Sequence, residues 1–152
     1  MVEVVGVPAL GARWAHALGH FWTVAVGDAG LGGRDTRGMA AYVKSVTFDC
    51  VDALVVARFW AAALGGEVDE GATAAKAFVE APGWGGPNVW FQRVPESKVA
   101  KNRMHFDLRA PRTVEEEVAR LVALGATVFA VHDESGITVM LDPAGNEFCV
   151  EL

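Results

Sequence analysis

The same short passage occurs twice in the chain. Val46-Thr-Phe-Asp-Cys50 lines up with Met104-His-Phe-Asp-Leu108, and Ala63-Leu-Gly-Gly66 with Ala123-Leu-Gly-Ala126. Lys44–Val51 alternates, with Val46, Phe48 and Cys50 on one side and Ser45, Thr47 and Asp49 on the other, which is the pattern of a half-buried strand. Asp52 is placed to cap a helix running to Leu64, with Val56, Phe59, Trp60 and Leu64 as its buried stripe and Gly65-Gly66 as its stop. The second copy has a strand at Arg103–Ala110. Pro111 and the capping pair Thr113 and Glu116 then open a helix with the stripe Val114, Val118, Leu121 and Val122. Each helix is followed by room for three strands. In the first copy these are Gly66–Asp69, Lys76–Ala81 and Asn88–Val94, with residues 82–87 as a Gly/Pro-rich loop. In the second they are Thr127–Val131, Ile137–Leu141 and Glu147–Leu152, closed by the turn Asp142-Pro-Ala-Gly-Asn146. A strand, a helix and three strands, repeated, predict an α+β fold of two βαβββ units, 44–94 and 103–152. Each unit buries one sheet face against its helix, and the opposite faces enclose a cup where a small molecule can bind.

Residues 1–43 do not follow this pattern. The stretch is rich in Gly, Ala and Val without a steady period, and Asp28–Gly38 is loop chemistry throughout. It is expected to be a weakly ordered or non-native extension, with Met39 as the native start. Intact-mass analysis of natively expressed protein would show a chain beginning at Met1 if this is wrong. His16 and His20 stand at helical i, i+4 spacing, yet no third ligand is near them in sequence.

The chain carries a net charge of −6 with only 13 Lys and Arg, which argues against a nucleic-acid partner. No run of eighteen apolar residues exists to span a membrane. Cys50 and Cys149 sit in apolar runs and read as small buried hydrophobes, so a reducing cytoplasm is the expected setting.

Three stretches, 46–68 (VTFDCVDALVVARFWAAALGGEV), 90–110 (WFQRVPESKVAKNRMHFDLRA) and 141–152 (LDPAGNEFCVEL), resemble the vicinal-oxygen-chelate superfamily. That superfamily includes glyoxalase I, extradiol dioxygenases and the bleomycin- and fosfomycin-resistance proteins. The chain is most similar to its glyoxalase-like, single-domain group. The resemblance implies two βαβββ units, a ligand cup and a homodimer. It also implies metal-ligand positions on the first and last strands of each unit. Here those positions hold Ser45, Arg103, Cys149 and Phe91, which make no metal site, so no cofactor is expected. A shifted register offers the alternative of a divalent metal held by His105 and Glu147 with Asp49 or Asp107.

Without a metal, His105 beside Asp107, Asp49 and Glu147 has the residue types for acid–base chemistry. The plain alternative is a His105 hydrogen-bonded to a neighbouring strand, with Asp49 and Asp107 paired to Arg103. Trp84 and Trp90 offer stacking surfaces, and Thr47, Gln92, Arg103 and Cys149 complete the expected ligand-binding set. Small-molecule binding without a metal is the leading expectation. A lyase, isomerase or dioxygenase of the same superfamily is the second, and a silent protein-interaction domain the third.

Overall fold

Both helices begin where a side chain satisfies N–H groups that the helix itself leaves free. Asp52 Oδ1 accepts from the amides of Leu54 and Val55 at 3.0 and 3.1 Å and opens α1, Ala53–Leu64. Thr113 Oγ1 accepts from the Glu116 amide at 3.2 Å and opens α2, Val114–Leu124. Both helices close on a left-handed glycine, Gly65 (φ 69°) and Gly125 (φ 113°), where any side chain would be strained. These features come from a computed structural model, which describes residues 41, 43–80 and 86–152, all within the unit 41–152.

Among the described residues eight strands accompany the helices: β1 Ser45–Cys50, β2 Glu67–Val68, β3 Lys76–Glu80, β4 Asn88–Arg93, β5 Asp107–Arg109, β6 Thr127–His132, β7 Ile137–Leu141 and β8 Glu147–Glu151. They form two four-stranded sheets with orders β1-β4-β3-β2 and β5-β8-β7-β6. In each sheet the first strand runs parallel to its neighbour and the other pairs are antiparallel. The duplication read from the sequence is therefore a duplication of topology, and the α+β fold of two βαβββ repeats is present.

The two repeats share one aromatic core. Trp60 of α1 is 1% exposed and lies 5.3 Å from Phe106 and 5.2 Å from Phe148, both in the second repeat. Phe48 of β1 meets Phe106 edge-on at 5.2 Å. Edge-to-face packing of this kind adds to the area it buries. The Trp60 indole N–H also donates to Asp142 Oδ2 at 3.0 Å, which ties α1 to the closing turn of the other repeat. From α2, the Arg120 guanidinium donates to the Ala62 and Ala63 carbonyls at the end of α1, at 3.1 and 2.9 Å.

Two expectations need correction. The strand expected at Arg103–Ala110 is regular only at Asp107–Arg109. The Asn102 amide bonds the Glu147 side chain instead of a strand backbone, and backbone bonding to β8 begins only at Phe106, whose carbonyl accepts from the Cys149 amide at 2.9 Å. In α2, Val122 is 46% exposed, while Glu117 is turned inward to hold Arg120 at 2.6 and 2.9 Å. The Glu117 contact raises the Arg120 pKa, and burial opposes it. At the far edge of the second sheet, Phe129 of β6 is an extra residue. Val128 pairs with Met140 and Ala130 with Val139, which makes a β-bulge.

Candidate functional site

β1 is the outer strand of the first sheet and β5 the outer strand of the second. A cleft of about 580 Å³ lies along this seam. Residues 46–51 form one wall and residues 102–106 the other. The 94–98 stretch forms a rim, and the turn with Pro143, Ala144 and Asn146 contributes the floor. Strand alternation leaves Ser45, Thr47 and Asp49 exposed while Val46, Phe48 and Cys50 turn inward.

Asp142 fixes the floor. Its carboxylate is 4% exposed and accepts from the Ala144 and Asn146 amides at 2.8 and 2.9 Å, from the Asn146 side-chain amide, and from Trp60. Those donors compensate the burial of its charge. The 102–106 wall is anchored at its start. Glu147 accepts from the Asn102 amide at 3.0 Å and from Lys98 Nζ at 2.9 Å, and the Asn102 side chain reaches Asn146 at 3.4 Å.

Burial alone would raise the Glu147 pKa, but the Asn102 N–H and the Lys98 ammonium outweigh it, and the carboxyl sits below its ordinary value. A carboxyl that ionises more readily in the folded state stabilises the fold above its unfolded pKa, about 4.3. That contribution fades as the pH falls through the folded value. Glu147→Gln is therefore expected to be less stable than the parent at pH 7, with the difference shrinking below about pH 4.3. Urea unfolding of both proteins at pH 7 and pH 3 checks this. An equal difference at the two pH values would contradict it.

Of the residues expected to serve the site, Thr47, Asp49, Arg103 and His105 line the cleft. Gln92 stands behind Asp49, its Nε2 donating to Asp49 Oδ1 at 2.7 Å across the β1–β4 register. Asp107 stands behind His105, with Oδ1 2.9 Å from Nδ1, and Cys149 Sγ lies 4.0 Å from the same nitrogen. Trp90 does not line the cleft. It packs against Phe78 at 4.7 Å and is 42% exposed. Trp84 lies outside the described residues, as do His16, His20 and Met39. Arg103 pairs with neither Asp49 nor Asp107, because Gln92 and His105 hold those carboxylates. Glu147 is bound to Lys98 and Asn102, and the structure groups His105 with Asp107 and Cys149 instead. Sequence reasoning missed Lys98, Asn102 and the bond between Asp142 and Trp60.

The register also aligns the repeats. Asp49 faces Gln92 in the first and Asp107 faces Cys149 in the second, so Gln92, not Phe91, is the counterpart of Cys149. Phe91 is fully buried in the core and cannot be a ligand.

One ligand atom each from His105, Asp107 and Cys149 lie within 4.8 Å of one another, the one such group of three among the described residues. Nitrogen, carboxylate oxygen and sulfur donors suit a zinc-type ion. All three come from one repeat, whereas the resemblance implies positions in both. Cysteine nucleophile chemistry fits less well. Burial, then the Asp107 carboxylate, raises the Cys149 pKa, and the thiol and the carboxylate approach the same imidazole nitrogen. Cys50 is more inert still, pushed up to about 11 by burial and then by Asp142.

Comparison with known proteins places this geometry in context. A family model described as a glyoxalase-like domain matches residues 45–151. A possible glyoxalase from Bacillus cereus superposes with TM-score 0.60 at 16% identity, covering 74% of this chain and all of that one. A glyoxalase/bleomycin resistance protein/dioxygenase family enzyme from Burkholderia phytofirmans gives 0.56 at 19% identity, covering 72% and 97%. A mutant of the fosfomycin resistance protein FosX from Listeria monocytogenes, complexed with Mn(II) and 1S,2S-dihydroxypropylphosphonic acid, gives 0.57 at 16%, covering 74% and 90%. At these identities the likeness is one of fold. A search of curated proteins returned no match.

Proposed function

The chain belongs to the glyoxalase-like domain family, and on that premise we propose that it binds a small organic molecule in the cleft between its repeats, without needing a metal. The observation that carries this reading is the cleft itself, of a size for a small ligand and walled by both repeats. Apolar Val46, Phe48, Met104 and Phe106 would contact the body of the ligand, and Thr47, Asp49, Arg103 and His105 its polar groups. A reducing cytoplasm and a homodimer belong to the same proposal, the first resting on two free cysteines.

The test is a titration of isotope-labelled protein with small aromatic fragments, followed by amide shifts. Shifts concentrated on residues 46–51 and 102–106 and unchanged by a chelator are expected. Fragments that shift only residues elsewhere would overturn the cleft reading, and affinity abolished by the chelator would overturn metal independence.

A second reading rests on the His105, Asp107 and Cys149 group. These residues would hold a divalent cation, which would supply Lewis-acid polarisation of a bound oxygen. One structural relative is described with Mn(II). Under this reading purified untagged protein carries stoichiometric metal, and cobalt loading gives a thiolate charge-transfer band that Cys149→Ser removes. Under the first reading neither is seen.

A further inference from the structure

We propose that the cleft selects a ligand bearing a carboxylate or phosphate-type anion and that Arg103 is its anchor, an inference that rests on the cleft-binding reading. Two basic side chains from outside β1 bear on the cleft, Lys98 and Arg103. Lys98 is committed to Glu147 at 2.9 Å. Arg103 is exposed and has no hydrogen bond or ion pair among the described residues.

Two acids also line the cleft. Asp49 is engaged by Gln92 at 2.7 Å, and Glu96 is exposed on the rim. Neither closes an ion pair with Arg103. The chain that carries Arg103 is anchored on both sides: Asn102 before it bonds Glu147 and Asn146, and His105 after it bonds Asp107. The repeat places Ser45 at the corresponding position of β1, so the charge belongs to one wall only. A planar fork of N–H donors left open beside the apolar Met104 and Phe106 matches an anionic head on an apolar body. His105 Nδ1 is taken by Asp107, which leaves Nε2 as the ring nitrogen free to meet the same ligand.

The probes are benzoate and phenylphosphonate, with benzamide and benzamidine as neutral and cationic counterparts, each titrated into the full chain with amide shifts as readout. Either anion is expected to bind at least about tenfold tighter than benzamide, the usual margin of a charge-assisted hydrogen bond. Arg103→Met is expected to remove that margin, and Arg103→Lys to restore part of it for phenylphosphonate more than for benzoate. Benzamide or benzamidine binding in the cleft as tightly as the anions would overturn the anion inference and leave the cleft reading standing. The same holds for an unchanged anion affinity in Arg103→Met. No shift at residues 46–51 or 102–106 with any of the four would sink both.

Discussion

Trp60→Ala is expected to lower the unfolding free energy by about 3–5 kcal/mol, the usual loss for truncating a fully buried large aromatic. The figure is a large share of the stability of an ordinary domain. The side chain is 1% exposed and packs on Phe48 and Phe59 of its own repeat and on Phe106 and Phe148 of the other. Its removal therefore opens a void that neither repeat can close alone. Trp60→Phe is the milder test. It keeps most of the ring contact and deletes the N–H that reaches Asp142, so a smaller loss of about 1.5–3 kcal/mol is expected. Urea unfolding measures both. A loss below about 1 kcal/mol for Trp60→Ala would mean that the aromatic core does not join the repeats.

Asp142→Ala is expected to be nearly as damaging, by about 3 kcal/mol. It leaves the Ala144 and Asn146 amides and the Trp60 indole without their acceptor in a buried site. Hydrogen exchange at Ala144 and Asn146 should quicken by more than the global loss explains, because the floor of the cleft opens first. A double-mutant cycle of Trp60→Phe with Asp142→Asn isolates the bond between them. A coupling of about 1 kcal/mol or more is expected, and additivity within about 0.5 kcal/mol would show that the indole N–H and the carboxylate act independently.

The fold was legible in the sequence because its strongest signals are local. Asp52 and Thr113 cap their helices, Gly65 and Gly125 end them, and alternation marks β1 and β8. The site was legible by half. Alternation put Thr47 and Asp49 on the open face, and the repeat pointed to Arg103 and His105, but neither signal says which charge meets which. Asp49 was free to pair with Arg103 on paper, and only the parallel β1–β4 register shows that Gln92 reaches it first. Glu147 looked available for a metal because Lys98 and Asn102 lie in a connecting stretch with no period to place them. Helical periodicity places Trp60 in the buried stripe of α1. That it also bonds a carboxylate 82 residues away is a tertiary fact with no sequence period behind it.

The bulge in β6 has a consequence for how the molecule behaves in company. β6 ends its sheet, and Val128, Phe129 and Val131 are 46, 66 and 60% exposed there. A flat, greasy strand in that place would offer its free amides and carbonyls to any passing chain and invite growth into aggregates. The extra Phe129 breaks the even spacing of those groups and steepens the local twist, so an incoming strand finds no straight ladder to extend. One residue out of step is thus expected to disfavour edge-to-edge association at high concentration.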